Sequence, residues 1–370
     1  MKKMNRILSL LLCLLLAAFS SPLSFAEEPD LTITGTIVDF EEYGHAILDI
    51  SIIEFEEAGF NLGDVVTVTT ENYADDMPYF NGYYVEPGEP VLRSSSGKDY
   101  IAVCINYGDF REAADAEAGD AVTITLKEDD GALAQQEMNN LVYTNERSDY
   151  DLDTVFANFR PVVMGEIAEG ALYRSASPVD NSYNRAAFAN ELAELVRVNA
   201  VMNLASTDEE ILADFAAEDF RSDYYRSLYE SGRVIALGLP INFESPDFAA
   251  GIARGLTFLS EQEPPYLVHC TEGKDRAGFA NMVLEALMGA SADEIYADYM
   301  ISYQNYYGIE PGTDRYDLIL ESNVMKMLPI IAGTDHPEDV DLAAATEAWL
   351  IASGMSQEAV TALKAHLSSP

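Results

Sequence analysis

Val268-His269-Cys270-Thr271-Glu272-Gly273-Lys274-Asp275-Arg276-Ala277-Gly278 is the stretch from which the rest of the chain can be read. Before it, Pro264-Pro265-Tyr266-Leu267-Val268 is a short apolar run, the pattern of a buried strand. After it, residues 279–288 (Phe-Ala-Asn-Met-Val-Leu-Glu-Ala-Leu-Met) have a strong helical pattern. The stretch therefore predicts a strand, a tight loop and a helix start. Cys270 falls at the strand's end and Arg276 in the helix's first turn.

That spacing carries chemistry. A loop at a helix N-terminus points several backbone N–H groups at one spot, and the helix dipole makes that spot favour anions. With five residues between Cys270 and Arg276, the loop can curl so that the sulfur lies at the base of a cup. The Arg276 guanidinium can then grip two oxygens of an oxyanion. The same positive field is expected to stabilise the thiolate, the nucleophilic form of cysteine. A thiolate under a phosphate ester is placed for in-line attack, giving a phosphocysteine intermediate.

His269-Cys270, five residues and Arg276 resemble the signature of the cysteine-dependent tyrosine and dual-specificity protein phosphatases. The run Gly273-Lys274-Asp275-Arg276 is similar to the atypical bacterial branch, whose members act on phosphotyrosine and often on phosphoinositides. A second stretch agrees with it: Gly170-Ala171-Leu172-Tyr173-Arg174-Ser175-Ala176, a helix, then Ala200-Val201-Met202-Asn203-Leu204-Ala205. The resemblance covers roughly residues 155–305. It implies Cys270 as nucleophile and Arg276 as the phosphate clamp. His269, Thr271, Glu272, Gly273, Lys274 and Ala277 complete the substrate-binding loop. His269 would orient the loop and tune the thiolate, and Lys274 would add positive charge toward a second anionic group. Glu272 works against a crowded polyphosphate, although some phytase-like relatives carry an acid there. Arg174 is either a support for the loop or half of a surface salt bridge.

Two departures matter. Many relatives carry Ser or Thr after the arginine, where the hydroxyl helps the cysteine leave; this chain has Ala277. Better-known relatives also place an acidic proton donor roughly thirty residues before the cysteine. Here that region is Leu239-Pro240-Ile241-Asn242-Phe243, with no acid. The resemblance points to Asp275 as proton donor, with Asp247 as the alternative.

The charge balance excludes some functions. The 370 residues carry 21 Lys and Arg against 63 Asp and Glu, a formal net charge of −42. Such a chain repels nucleic acid and anionic membranes, so a phosphate cup must be a local positive island. The N-terminus reads as a signal peptide over residues 1–26. Lys2, Lys3 and Arg6 precede the apolar core Ile7–Phe19, and Ser24-Phe25-Ala26 is a small-residue cleavage site. The core is too short to span a bilayer, and no later segment is long and apolar enough. A secreted or cell-envelope protein is expected. Beyond residue 26 only Cys104 and Cys270 remain, too few for a disulfide framework. Cys104, within Tyr100–Ile105, reads as a core thiol.

Residues 27–150 read as a β-rich domain of unrecognised type, a small barrel or sandwich. Leu31–Phe40 alternates as a strand does, and His45–Ile52 follows, with His45 a surface residue beside it. Gly63-Asp64-Val65-Val66-Thr67-Val68-Thr69 returns in altered form as Gly119-Asp120-Ala121-Val122-Thr123-Ile124-Thr125. Gly-Asp makes the turn in each copy. Asp75-Asp76 and Asp129-Asp130 read as solvated turns rather than calcium ligands, since no loop has an EF-hand pattern. A polar link over 140–160 leads to a catalytic domain over 151–370.

That domain alternates strands and helices. Helices are expected at 186–198, 208–215 and 248–259, and strands at 200–204 and 234–237. The pattern implies an α/β fold, a mostly parallel sheet flanked by helices, with the loop at the strands' carboxyl ends. The C-terminal part is helical, over 314–331, 339–352 and 356–367. Ser291 and Glu294 form a capping box for a helix carrying Tyr296, Tyr299, Tyr303, Tyr306 and Tyr307. These rings form either a pocket wall or core packing.

The expected function is an exported phosphomonoesterase for phosphotyrosine-type or phosphoinositide esters, in a small molecule, phosphoprotein or lipid, with no metal or cofactor. An inositol polyphosphate phosphatase and a catalytically weak phosphate-binding module are the alternatives.

Overall fold

The computed structural model describes residues 31–95 and 97–369. The predicted signal peptide at 1–26 lies outside the described residues. The chain divides into two units between Gln136 and Glu137, so residues 137–150 fold with the second unit.

In the first unit, seven strands close into a barrel. They are β1 (Thr32–Phe40), β2 (Ala46–Ser51), β3 (Val65–Thr69), β4 (Ala74–Phe80), β5 (Pro90–Arg93), β6 (Tyr100–Ile105) and β7 (Ala121–Glu128). Their order round the barrel is β1-β2-β6-β5-β4-β3-β7. The two repeated segments become β3 and β7, which pair antiparallel with Thr67 opposite Thr125. Each copy has its glycine at positive φ, +102° at Gly63 and +105° at Gly119. Each following aspartate accepts a bond at 2.7 Å from the backbone N–H three residues earlier, Asn61 for Asp64 and Glu117 for Asp120. The repeat is thus one turn design used twice.

Two readings of this unit are corrected. Asp75 and Asp76 lie in β4, not in a turn. Asp76 accepts from Thr67 Oγ1 at 2.6 Å across the β3–β4 pair and joins Lys127. His45 is buried, because Glu41 gathers polar groups inward. That carboxylate accepts from Arg93 Nη2 at 2.7 Å and Tyr100 Oη at 3.1 Å, with His45 Nδ1 at 3.3 Å. Asp129 and Asp130 do close on Asp64, but Asp64 spends its oxygens on the backbone N–H groups of Asn61 and Asp130.

The second unit is α/β. Its strands are β8 (Arg160–Pro161), β9 (Leu172–Ser175), β10 (Ala200–Asn203), β11 (Val234–Ala236) and β12 (Tyr266–His269), in sheet order β11-β10-β12-β9-β8. The β11–β10, β10–β12 and β12–β9 pairs are parallel, and β8–β9 is antiparallel. Helices α1 (Ala186–Leu195), α2 (Asp208–Phe215), α3 (Asp223–Glu230), α4 (Pro246–Ser260), α5 (Asp275–Leu287) and α6 (Ala292–Tyr307) connect and cover the sheet. Strand β12 is central and fully buried, which is why its sequence shows no polar alternation. Tyr266 and Val268 enter the core that contains α4, α5 and α6, while Leu267 enters the core beneath α1 and α3.

The expected helix over 314–331 is broken into α7 (Asp314–Ser322), a short 3-10 turn at Val324–Lys326 and α8 (Leu328–Ala332). Pro329 lacks the N–H an uninterrupted helix would use, so it sits in the first turn of the new one. Helices α9 (Leu342–Ala352) and α10 (Gln357–Leu367) finish the chain. Among the described residues no helix is long and apolar enough to cross a membrane.

Candidate active site

The loop from Cys270 to Lys274 joins the carboxyl end of β12 to the open N–H end of α5. Three backbone features force its curl. Gly273 has φ +71°, and a Cβ there would lie 2.2 Å from the Ser175 carbonyl at the end of β9. Ser177 N–H donates to the Thr271 carbonyl at 3.0 Å, tying the loop to the chain after β9. Gly278 lets α6 approach α5, since a Cβ there would meet the Tyr299 ring at 2.2 Å.

Cys270 is 3% exposed at the bottom of this turn. Arg276 folds back across it: Nη2 donates to Thr271 Oγ1 and Nη1 to the Leu239 carbonyl, both at 3.0 Å. The acid-free segment at 239–243 therefore serves the arginine. Arg276 Nε is buried with no partner among the described residues. His269 is fully buried, its ring edge-on to Tyr225 at 5.8 Å. Burial, and behind it the charge of Arg276, hold the imidazole down to about 3, so it is neutral.

Asp275 opens α5, and Tyr299 Oη donates to its Oδ1 at 3.4 Å. Burial raises the Asp275 pKa, with Lys274 pulling against it and Glu272 adding to it. The alternative acid, Asp247, is exposed in the first turn of α4. Lys274 is mostly enclosed: Nζ donates to Tyr307 Oη at 2.8 Å and lies 5.1 Å and 5.5 Å from the centres of the Tyr307 and Tyr303 rings. Burial alone would lower the Lys274 pKa, but Asp275 and the surrounding tyrosines outweigh it and raise it. Glu272 is drawn outward, its carboxylate accepting from Tyr143 Oη. Ala277 is fully buried and its carbonyl accepts from Asn281 Nδ2 at 2.6 Å.

Beneath the loop lies a buried charged network. Arg174, fully buried on β9, donates through Nη2 to the carbonyls of Gly273 at 3.0 Å and Lys274 at 3.2 Å. Its Nη1 donates to Asp298 Oδ2 at 2.7 Å. Arg160 Nε donates to the other oxygen of Asp298 at 3.1 Å, and its Nη1 to Asn158 Oδ1 at 2.9 Å. Burial opposes ionisation of Asp298, but the two arginines overcome it and hold the carboxyl down to about 2. Glu285, also buried, is pushed the other way by burial and by Asp298. Asn158 Nδ2 and Tyr306 Oη both donate to the Glu272 carbonyl, at 3.2 Å and 2.5 Å.

The structure thus brings the expected loop residues, His269 to Ala277, together with Arg174, and leaves Asp247 apart from their hydrogen bonds. Arg160, Asp298, Ser302, Asn158 and Tyr143 are additions that the motif did not reveal. One signal was present. Asp298, Ser302 and Asn305 recur at four- and three-residue spacing on α6, a polar stripe among tyrosines, and all three join Arg160 or Asn158.

A model of the tyrosine phosphatase family matches residues 157–368, more than half of the chain. This chain belongs to the tyrosine phosphatase family. The matched span contains the whole loop, the β9 arginine and the C-terminal helices. A Cupriavidus necator protein whose name places it among tyrosine-protein phosphatases is 53% identical over 38 residues, 10% of this chain and 14% of that relative. The match therefore spans about one seventh of that relative's length. Two solved structures share smaller likenesses. An uncharacterized conserved protein from Thermotoga maritima has 17% identity over 26% of this chain and 37% of its own, with a TM-score of 0.24. A conserved hypothetical protein from Thermus thermophilus has 22% identity over 25% of this chain and 34% of its own, with a TM-score of 0.18.

Proposed function

We propose that this family member is an exported, cysteine-dependent phosphatase for phosphotyrosine-type monoesters. The observation that carries the reading is the Cys270–Arg276 loop. A buried sulfur, a preset guanidinium and a helix N-terminus converge there, and Arg276 Nε is left as an uncommitted donor.

In the first step, Cys270 Sγ forms a bond to phosphorus as the bond to the ester oxygen breaks. Asp275, whose pKa is raised by burial, gives its proton to the departing oxygen. Arg276 holds two of the remaining phosphoryl oxygens through the transition state. In the second step, water attacks the phosphocysteine and the Asp275 carboxylate takes its proton. Inorganic phosphate and the cysteine thiolate are released. Ala277 has no hydroxyl to assist that departure, so breakdown of the intermediate goes without that help.

The surroundings favour a single phosphate over an inositol polyphosphate. Lys274 is held by Tyr307, and the acid at Glu272 repels further phosphates. Export rests on the N-terminal sequence features. The test is hydrolysis of a small aryl phosphate by residues 27–370, with reductant and chelator present, beside Cys270→Ser. Turnover that survives chelator and is lost in the variant supports the reading. Binding of phosphate analogues without turnover would replace it with a phosphate-binding module.

A further inference from the structure

A cavity of about 690 Å³ lies in the second unit beside the loop. Its wall includes Tyr143, Tyr306 and Tyr307, the three tyrosines whose hydroxyls bond the outer side of the loop at Glu272 and Lys274. Their rings pack on one another, Tyr143 at 4.9 Å from Tyr306 and 5.7 Å from Tyr307. The cavity is therefore one side chain away from the phosphate cup.

Its lining is aromatic and acidic. Tyr150, Asp149 and Asp151 complete the face opposite α6, and no lysine or arginine lines it among the described residues. Both aspartates are exposed. Three cations adjoin the wall: Lys274, which donates to Tyr307 Oη at 2.8 Å; Arg147, which donates to the Tyr150 carbonyl and pairs with Asp153 at 2.6 Å; and Arg185, which is 1% exposed. Arg185 is stacked against the rings of Phe156 at 4.3 Å and Tyr306 at 4.7 Å, and donates to the Thr144 carbonyl at 2.9 Å. Arg185 thus fixes the 143–150 segment that carries Tyr143 and Asp149. The tyrosine rings already carry Arg185 or Lys274 against them, but Asp149 and Asp151 make no ion pair among the described residues, and these two exposed carboxylates are what select a cation. The whole-chain charge of −42 acts in the same direction on approach.

We propose that this cavity is a substrate subsite that takes a lysine or arginine side chain adjoining the phosphorylated tyrosine. The proposal rests on the phosphatase reading above and narrows its substrate to phosphopeptides with basic flanks. An inositol polyphosphate would instead bring its extra phosphates against Asp149 and Asp151.

The experiment uses two phosphotyrosine peptides of equal length, one with Arg and one with Glu beside the phosphotyrosine, at low salt. A small aryl phosphate with no flanking group is hydrolysed in parallel. The Arg peptide is expected to have a kcat/KM about fivefold or more above the Glu peptide, the size a partly exposed ion pair supplies. Rising salt shrinks the ratio. Asp149→Asn combined with Asp151→Asn brings it to about twofold or less, with the melting temperature as a check on folding. Equal rates on the two peptides, or a ratio that the double variant does not move, would overturn the subsite while aryl phosphate turnover keeps the phosphatase reading. Failure to turn over the aryl phosphate would remove the phosphatase reading itself, and the subsite with it.

Discussion

The barrel and the α/β unit both bury charged and polar groups, and they use them differently. In the barrel these groups close turns and pin strand ends. Asp64 accepts from two backbone N–H groups, Asp120 repeats one of those bonds, and Glu41 gathers Arg93, Tyr100 and His45. In the α/β unit Arg174 and Asn158 donate to the carbonyls of one loop, Cys270–Arg276, and Arg160 and Asp298 hold those two side chains from behind. Buried charge is costly unless fully paired. A unit that concentrates it under a single loop is holding that loop's shape, and shape is what an anion cup requires.

Glycines give the sharpest test of that difference. Gly119 of the barrel and Gly273 of the loop both have positive φ, but a Cβ at Gly119 meets nothing within 4 Å, whereas at Gly273 it meets backbone at 2.2 Å. Gly273→Ala is expected to lower kcat/KM on an aryl phosphate by about 100-fold or more, since the loop must open to accept the methyl group. Gly119→Ala is expected to cost about 1 kcal/mol in denaturant unfolding and nothing in turnover. Equal effects of the two variants on turnover would break the comparison.

Asp298 comes next. Asp298→Asn leaves Arg160 and Arg174 buried without their carboxylate. The expected cost is about 3–5 kcal/mol of stability, with a fall of about tenfold or more in kcat when the folded fraction is measured alongside. The pH dependence follows from sign. The carboxyl's folded pKa, about 2, lies below its unfolded value, so the stabilisation is present above about pH 4 and is lost as pH falls toward 2. A wild-type acid unfolding midpoint that Asp298→Asn leaves in place would contradict this.

Asp275 gives a smaller, kinetic signature. Its raised pKa means that it keeps its proton to higher pH than an ordinary aspartate. As a proton donor it must be protonated, so kcat/KM should fall on the alkaline side through that pKa. Asp275→Asn should remove this limb and lower the rate by about 10²- to 10⁴-fold on esters with poor leaving groups, far less on good ones. A limb that persists in Asp275→Asn would pass the role to Asp247.

The smallest effect is expected at Glu285. Its folded pKa lies above the unfolded one, so its contribution is favourable at low pH and is lost as pH rises through the raised value. Glu285→Gln keeps the shape and removes the titration. It should raise the melting temperature at pH 8 by about 2–4 °C, the shift that about 1 kcal/mol gives, and change it little at pH 4.

Much of this was legible in the sequence, for reasons that can be named. The loop was, because Cys270, Gly273 and Arg276 are fixed by local backbone geometry within seven residues. The capping box at Ser291 and the matched turns at Gly63 and Gly119 were, because caps and turns are local too. The network beneath the loop was not. Arg160 meets Asp298 across 138 residues, and Arg174 meets it across 124. No periodicity marks such a contact, apart from the polar stripe on α6. His45 was misplaced for a related reason, since Tyr83 and Arg93, the partners that enclose it and Glu41, come from distant strands and loops. The break at 323–328 could have been read from Pro329.

The central claim is that Cys270 carries the phosphoryl group. Acid quench of the chain during turnover of an aryl phosphate, followed by peptide mass spectrometry, tests it most directly. Ala277 should make the intermediate long-lived enough to trap. The account predicts one phosphate on the peptide containing Cys270, and neither adduct nor turnover in Cys270→Ser. Turnover that survives Cys270→Ser, or a phosphate found on another residue, would contradict it.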